Sequence, residues 1–339
     1  MLQAIKIRKI FEKRLKTQIK IEKIYKNVRI ILRLHAKQDK IYCIQENNRG
    51  YIMEKIFETA YAKINLGLDV LGKRPDGYHE VRMVMQSIGL SDTVEIEEGE
   101  GLKVETDHGG LAGGPDNLAW KAAELLSRCC GKRPNVHIRL NKKIFLAAGL
   151  AGGSSDAAAV LRGLNRLWRL NMNAAELEKL AAELGSDIPF CITGGTALAE
   201  GRGEILTELP EAPELLLVLA KPKLEVATGW VYSNFRQQQA GQRPDIDGII
   251  KALEQGAAEA LLASCGNVLE SVTIPAHPVI AGIKQGMLAA GAKYALMSGS
   301  GPTVFAVVEK MEIAERILTA LTELDLETAV TTTVQKERI

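Results

Sequence analysis

Residues 147–158 form a run of glycine, alanine and serine that passes directly into an alanine-rich pattern. Apolar residues recur at helical spacing from Ala157 to Trp168, which predicts a helix that opens on the run and ends near Leu170. A glycine-rich turn at a helix N-terminus presents free backbone N–H groups at the positive end of the helix dipole, where phosphate binds readily. The run is therefore a candidate phosphate loop. The alternative is a tight strand–helix connection whose small residues serve packing alone.

The run matches neither of the two common phosphate-binding signatures. A P-loop places Lys and then Ser or Thr after its last glycine, whereas Ser154 and Ser155 follow Gly153 directly. The Gly-x-Gly-x-x-Gly signature of dinucleotide-binding folds is also absent from the run. If the run binds phosphate, it belongs to another class of loop.

The composition is that of a cytoplasmic globular protein with room for two domains. The chain has 339 residues, of which 46% are hydrophobic and 25% charged, and these values are ordinary for proteins that fold in water. No apolar run is long enough to span a bilayer. The five cysteines are odd in number and lack zinc-type spacing, which favours free thiols in a reducing compartment. We expect no membrane partner.

Charge is divided unevenly along the chain. Residues 1–52 carry 14 Lys and Arg against 4 Asp and Glu, a net charge of +10, whereas the remainder carries 29 against 37, a net charge of −8. The basic N-terminal extension has the composition of one or two amphipathic helices, which would suit an arm on RNA or a membrane surface. The alternative, which we favour, is upstream sequence outside the fold, with Met53 as the true start. The acidic body argues against nucleic acid as a partner.

Periodicity and turn residues predict alternating strands and helices after this extension. Apolar and polar residues alternate over 64–70, which predicts a strand. Asn117 is predicted to cap a helix, and Asn173 with Glu176 to form a capping box at another. The other predicted strands are 81–90, 94–97, 102–105, 136–140, 196–199, 215–220, 294–297, 303–308 and 327–334, and the other predicted helices are 246–263, 277–290 and 312–323.

Three motifs, in their order along the chain, resemble those of the GHMP small-molecule kinases. They are AKINL at residues 62–66, GLAGGSSDAA at 149–158 and SGSGPT at 298–303. The resemblance covers residues 53–339 and implies an α+β fold of two α/β domains, the GHMP kinase fold. Its ATP-binding N-terminal domain, residues 53–210, would resemble ribosomal protein S5, and its C-terminal domain, residues 211–339, would be ferredoxin-like.

Two further stretches, RPDGYH at 74–79 and GSDIPF at 185–190, resemble one branch of that family. The branch implies transfer of the γ-phosphate of ATP to the 2-hydroxyl of 4-diphosphocytidyl-2-C-methyl-D-erythritol, in non-mevalonate isoprenoid synthesis. The implied partner is a small molecule with a cytidine diphosphate handle, and the implied cofactors are ATP and Mg²⁺. The sequence names no acidic Mg²⁺ ligand, and Ser155 is a candidate contact. The alternatives are another kinase of the family, of mevalonate or homoserine type, or a nucleic-acid-binding protein that uses the basic extension.

Lys63 and Asp187 are the catalytic pair that the resemblance implies. Phosphoryl transfer to an alcohol needs a group that takes the hydroxyl proton. Asp187 matches the family's base, and Lys63 matches the lysine that pairs with it and orients the hydroxyl. Without the resemblance, Asp187 between Gly185 and Pro189 would be interpreted as a helix N-cap. Lys63 would be interpreted as a solvated strand residue.

The substrate-binding residues come from the same resemblance. Tyr78 and Tyr232 match aromatic residues that hold the cytosine ring between them, and such stacking contributes about 1–3 kcal/mol per base. His79 matches a residue that hydrogen-bonds the edge of the base. Asn65 would position the substrate, and Thr228 lies in the same stretch as Tyr232. This nucleotide handle argues against the mevalonate and homoserine alternatives.

The implied ATP-binding residues lie in and just before the small-residue run. They are Phe145, Leu146, Ala147, Ala148, Gly149, Leu150, Ala151, Gly152, Gly153, Ser154 and Ser155. The family often has glycine where this chain has Ala147, Ala148 and Ala151. Because alanine is strained at positive φ, we predict a negative φ at all three positions.

Overall fold

The computed structural model describes residues 30–33, 42–46 and 52–336. Contacts divide the chain into two units, residues 1–57 and residues 58–339. Within the described ranges, no helix combines the length and the apolar character needed to cross a bilayer.

Short antiparallel strands form the described part of the smaller unit. β1 (Ile30–Arg33) pairs with β2 (Tyr42–Glu46), and β2 pairs with the first residues of β3 (Ile52–Lys73), from Ile52 to Ile56. The prediction of amphipathic helices is therefore wrong for these two segments. The rest of that prediction falls outside the described residues.

The first sheet of the larger unit is built on two long strands, β3 and β4 (His79–Glu98). The second half of β4 pairs with β6 (Val136–Asn141), and its first half pairs with β7 (Thr196–Glu200). The remaining strands of this sheet lie beside these, and they are β5 (Leu102–Thr106), β8 (Ile205–Glu208) and β10 (Gly266–Asn267). The strands predicted at 81–90 and 94–97 are thus parts of one strand, β4.

The second sheet contains four antiparallel strands, in the order β11, β12, β9 and β13. They are β9 (Leu216–Pro222), β11 (Tyr294–Met297), β12 (Val304–Val308) and β13 (Leu326–Thr332). All four agree with predicted strands to within one or two residues. With the helices that separate them, they form the α+β arrangement predicted for the C-terminal half.

The helices of the larger unit agree with most of the predicted helical segments. They are α1 (Leu118–Cys129), α2 (Gly152–Leu167), α3 (Ala174–Ala181), α4 (Ile188–Thr193), α5 (Thr228–Asn234), α6 (Ile246–Glu254), α7 (Ala258–Ser264), α8 (Glu270–Ala276), α9 (Val279–Ala289) and α10 (Met311–Ala320). Asn117 caps α1, and Asn173 forms the predicted capping box with Glu176 on α3. The helix predicted over 246–263 is two helices, because Gly256 turns the chain between them at φ 63°.

Apolar side chains of both sheets meet in one core. Ala62, Ile64 and Leu66 on β3 pack in the same cluster as Leu219 on β9 and Phe305 on β12. Burying each large apolar side chain contributes about 1.5–3 kcal/mol. The alternation that buries these β3 residues turns Lys63 and Asn65 to the other face of the strand. The four cysteines whose side chains are described are free, as predicted.

Candidate functional site

A cavity of about 670 Å³ in the larger unit collects most of the predicted site residues. Those that line it are Lys63, Asn65, Tyr78, His79, Phe145, Leu146, Ala147, Ala148, Gly149, Ala151, Gly152, Gly153, Ser154, Asp187, Thr228 and Tyr232. Two predicted residues, Leu150 and Ser155, do not line it, and each is 1% exposed. The three sequence motifs are therefore brought to one cleft, together with the two further stretches.

The small-residue run forms a loop that ends where α2 begins, at Gly152. Gly149 has φ 73°, and a Cβ atom there would lie 2.2 Å from the carbonyl oxygen of Ser298. This close approach requires glycine. The Ser298 hydroxyl donates to the Gly149 carbonyl at 3.0 Å, and the Lys63 backbone N–H donates to the Leu150 carbonyl at 3.1 Å. The first and third motifs thus fix the loop from two sides.

Two alanines in this loop contradict the predicted backbone conformation. Ala147 has φ 47° and Ala151 has φ 58°, both in the left-handed region, whereas Ala148 is not among the residues with positive φ. The prediction of negative φ is wrong for Ala147 and Ala151. The contacts of the loop with Ser298 and Lys63 impose this conformation despite a strain of about 1–2 kcal/mol per residue.

Ser155 is committed to a structural contact. Its backbone N–H donates to the Ala151 carbonyl within the first turn of α2, and its hydroxyl donates to the Tyr61 carbonyl at 2.6 Å. This contact joins the helix to β3. Ser154, in contrast, lines the cavity. The geometry therefore favours Ser154 over Ser155 as the hydroxyl that can reach a bound phosphate or metal ion.

Lys63 and Asp187 form an ion pair that lines the cavity. The Nζ atom of Lys63 lies 3.6 Å from Oδ2 of Asp187 and donates to Oδ1 of Asn65 at 2.9 Å. Lys63 is 4% exposed, while a third of the Asp187 side chain is exposed to the cavity. A buried ammonium needs such partners, because a buried unpaired charge is costly. The interpretation of Lys63 as a solvated residue is therefore wrong.

Asp187 occupies the N-cap position of α4 without acting as a cap. Its side chain accepts no hydrogen bond from the helix backbone, and Pro189 stands in the first turn of the helix. The carboxylate is directed instead toward Lys63 and the cavity. This geometry supports a chemical role for Asp187 over the capping alternative.

A buried charge cluster beneath the loop was missed from the sequence. The Lys142 ammonium contacts the carboxylates of both Asp92 and Asp156, and all three side chains are almost fully buried. Asp92 also accepts the backbone N–H groups of Lys143 and Ile144, which lead into the loop. Burial raises the pKa of Asp156 to about 7, although Lys142 opposes this. Because one ammonium is shared by two carboxylates, the charge of Asp92 also raises the pKa of Asp156.

Arg162 joins the elements that carry the functional groups, and sequence patterns gave no sign of it. Extending from α2, it donates to Oε2 of Glu58 at 3.1 Å and to the carbonyl of Thr59 at 2.9 Å, both on β3. It also donates to the carbonyl of Cys191 at 2.6 Å, on α4. One guanidinium thereby holds α2, β3 and α4, which carry the small-residue loop, Lys63 and Asp187.

Aromatic rings line a second part of the cavity, which we call the ring-lined end. The ring centroids of His79 and Tyr232 lie 5.4 Å apart with an interplanar angle of 37°. Burial lowers the pKa of His79, and the charge of Lys73 lowers it further, so the ring is neutral at pH 7. Tyr78 is 54% exposed. The Thr228 hydroxyl lies 3.0 Å from that of Ser300, which links this end to the third motif.

Arg202 also lines the cavity and was not predicted. Its guanidinium carbon lies 4.9 Å from the centroid of the Tyr78 ring. The residue sits between two glycines with positive φ, Gly201 and Gly203. A Cβ atom at Gly203 would lie 2.6 Å from Cε of Met83. The Gly-Arg-Gly sequence was the available signal, because such a turn places a charged side chain close to packed backbone.

Two family models match this chain. Residues 117–195 match the family model of the GHMP kinases N-terminal domain, and residues 247–324 match that of the GHMP kinases C-terminal domain. A homoserine kinase structure from Cytophaga hutchinsonii has a TM-score of 0.62 at 19% identity, covering 82% of this chain and 95% of that one. At that identity the likeness concerns the fold alone.

Other relatives are more similar. A 4-diphosphocytidyl-2-C-methyl-D-erythritol kinase of Acetivibrio thermocellus is 47% identical over 83% of this chain and its own entire length. One of Bacillus subtilis is 47% identical over 79% of this chain and 93% of its own. A crystal structure of 4-(cytidine 5'-diphospho)-2C-methyl-D-erythritol kinase has a TM-score of 0.70 at 34% identity, covering 82% and 99% of the two chains. The chain belongs to the 4-diphosphocytidyl-2-C-methyl-D-erythritol kinase family of the GHMP kinases.

Proposed function

We propose that this protein phosphorylates the 2-hydroxyl of 4-diphosphocytidyl-2-C-methyl-D-erythritol with ATP, in non-mevalonate isoprenoid precursor synthesis. The observation that carries the proposal is that one cavity holds a phosphate-type loop, a Lys–Asp pair and a ring-lined end. The names of relatives at 47% identity support it over the mevalonate and homoserine alternatives.

The loop at the start of α2 would bind the phosphates of ATP. Backbone N–H groups at Gly152, Gly153 and Ser154 belong to the first turn of the helix, where they have no intrahelical acceptor. They lie at the positive end of the helix dipole. The apolar residues Phe145 and Leu146 at the cavity wall suit the nucleoside part.

Asp187 would act as the general base. Its carboxylate takes the proton of the 2-hydroxyl as that oxygen bonds to the γ-phosphorus, and the bond to the bridging oxygen breaks to release ADP. Lys63 stabilises the ionised carboxylate and the charge that develops on the transferred group. Asn65 orients Lys63 through their hydrogen bond. Since both side chains are buried on a packed strand, they are preorganised for this role.

Mg²⁺ is expected to enter with ATP. Among the described residues, no group of three or more His, Cys, Asp or Glu side chains forms a metal cage. This fits Mg²⁺, which keeps several waters and is usually held by substrate phosphates with one or two protein oxygens. Ser154 is the hydroxyl we assign near it. The ion would neutralise phosphate charge during transfer.

The handle would bind at the ring-lined end, with the base against Tyr78 and Tyr232 and its edge near His79. Neutral His79 can both accept and donate a hydrogen bond there. We further propose that residues 53–210 and 211–339 are the two functional domains, and that residues 1–52 are not needed for activity.

An ADP-release assay over a panel of alcohols tests the proposal. The panel contains 4-diphosphocytidyl-2-C-methyl-D-erythritol, mevalonate and homoserine. We expect ADP release above background with the first compound alone. Release with mevalonate or homoserine at a comparable kcat/KM would contradict the proposal and favour one of the family alternatives.

A further inference from the structure

Arg202 supplies positive charge to the ring-lined end of the cavity. The charged side chains among the described lining residues are Lys63, Asp187 and Arg202. Lys63 is paired with Asp187 at the chemical end. Arg202 is thus the permanent cation available to a ligand at the other end, where His79 is neutral at pH 7.

The turn that carries Arg202 is held in place by the fold. The backbone N–H of Val81 on β4 donates to the Gly201 carbonyl at 2.9 Å, and that of Gly203 donates to the Glu200 carbonyl at 3.0 Å. The Glu204 carboxylate accepts from the Arg202 backbone N–H at 2.6 Å and from its Nε atom at 3.2 Å. The side chain is therefore anchored at its base and is 28% exposed.

This anchoring leaves the outer edge of the guanidinium free. Only Nε is used by Glu204, and neither Nη atom has a hydrogen-bond acceptor within the described part of the chain. The guanidinium carbon lies over the Tyr78 ring, 4.9 Å from its centroid. A guanidinium stacked on an aromatic ring still presents its in-plane N–H groups to an anion.

We propose that Arg202 binds the diphosphate of the substrate's cytidine diphosphate handle and selects nucleotides over nucleosides. The proposal rests on the proposed function, because that function places a base beside Tyr78. The remaining carboxylates that act on Arg202 are Glu204, already hydrogen-bonded, and exposed Asp76. The diphosphate carries one negative charge on each phosphate and would compete well with Asp76, since Arg binds phosphate in a bidentate manner. Arg202 is thus a specificity-determining residue, separate from the catalytic pair.

The test measures the binding of cytidine, CMP and CDP by titration calorimetry. The proteins are the wild type, Arg202→Met, Arg202→Lys and the control Arg82→Met. Arg82 has a matching exposure of 29% and is ion-paired with Asp247 and Glu200, but it does not line the cavity. Methionine retains much of the apolar stem of arginine and removes the charge.

We expect the wild type and Arg82→Met to bind CDP more tightly than cytidine. Arg202→Met should lower this preference about tenfold or more, the usual effect of losing a charged hydrogen bond. Its affinity for cytidine should stay within about twofold, because base stacking is retained. Arg202→Lys should retain part of the preference, since it keeps the charge and loses the bidentate geometry.

Two results would overturn the assignment of Arg202. One is a preference for CDP that Arg202→Met leaves unchanged, and the other is an equal loss of cytidine and CDP binding, which would mean that Arg202 only supports Tyr78. Failure of the proposed function has a different signature. In that case the wild type itself would bind neither cytidine nor CDP.

Discussion

The two ends of the cavity are built in opposite ways. At the chemical end, Lys63 and Asn65 are 4% and 0% exposed and are held by hydrogen bonds on a packed strand. At the ring-lined end, Tyr78 is 54% exposed and Arg202 is 28% exposed. Arg162 and the Lys142 cluster hold the first end in place, whereas Tyr78 and Arg202 of the second end lie in turns and contact each other.

We interpret this difference as a separation of the phosphoryl transfer from the selection of the substrate. Phosphoryl transfer gains most from groups that are fixed before the substrate arrives, because reorganisation during the reaction lowers the rate. Recognition of a handle that takes no part in the reaction needs affinity and orientation. We expect exposed Tyr78 and the outer edge of the Arg202 guanidinium to supply both. We therefore expect changes at the chemical end to act on kcat, and changes at the ring-lined end to act on KM and on substrate choice.

The largest expected effect comes from Asp187→Asn. The substitution keeps the shape of the side chain and removes the base, so kcat should fall about 10²–10⁴-fold. The variant should fold normally and bind ATP, because Asp187 does not cap its helix. Asp247→Asn is the control, since Asp247 is exposed and pairs with Arg82 outside the cavity. A kcat for Asp187→Asn within about threefold of wild type would remove Asp187 from the reaction.

A large effect on ATP binding is expected from Gly153→Val. A Cβ atom at Gly153 meets Leu118 at an ordinary 3.5 Å, so the fold can accept it. The branched side chain would block the approach of phosphate to the loop backbone, and the affinity for ATP should fall at least about tenfold. Gly282→Val is the matched control, because Gly282 lies in α9 with open space around it. Unchanged ATP affinity in Gly153→Val would reduce the loop to a connection.

The buried cluster should make stability depend on pH. Because folding raises the pKa of Asp156 to about 7, the folded state binds a proton that the unfolded state releases near its ordinary pKa. Protonated Asp156 therefore adds to the free energy of unfolding at low pH, and this added stability is lost as the pH rises toward 7. Asparagine does not titrate, so Asp156→Asn does not lose stability in this way. The Tm of the variant relative to that of the wild type should therefore increase between pH 5 and pH 8. A Tm difference that is the same at both pH values would contradict this account of the cluster.

The smallest effect is expected from Ala151→Gly. Because Ala151 has φ 58°, glycine should relieve strain and raise the free energy of unfolding by up to about 1 kcal/mol. Ala148→Gly is the control, since Ala148 is buried and is not among the residues with positive φ. We expect it to be destabilising. Denaturant unfolding of both variants measures the difference, and a loss of stability in Ala151→Gly would mean that the loop is not strained there.

Sequence patterns predict what short-range rules determine. The strand at Tyr294–Met297 has the predicted bounds, and the capping box of Asn173 with Glu176 is present. Alternation along β3 predicts that Lys63 and Asn65 share one face of the strand, and both side chains line the cavity. The motifs also predict which residues share the cavity, because each motif combines a local conformation with a recognisable chemistry.

What the sequence did not reveal depends on contacts between distant segments. Lys142 meets Asp92 fifty residues away, and Arg162 reaches Glu58 across 104 residues. No periodic pattern encodes such pairs. The positive φ of Ala147 is imposed by the loop's surroundings against its own preference. Arg202 was missed because its Gly-Arg-Gly sequence indicates a turn but does not show which distant residues the arginine contacts.

The division of the cavity into a chemical end and a ring-lined end is tested most directly by removing the cytidine handle from the substrate. The measurement compares kcat/KM for 4-diphosphocytidyl-2-C-methyl-D-erythritol and for methylerythritol 4-phosphate, which lacks the cytidine part. We predict that the second compound is a very poor substrate, because the contacts at Tyr78, His79, Tyr232 and Arg202 supply binding and orientation. Comparable kcat/KM values for the two compounds would contradict the account.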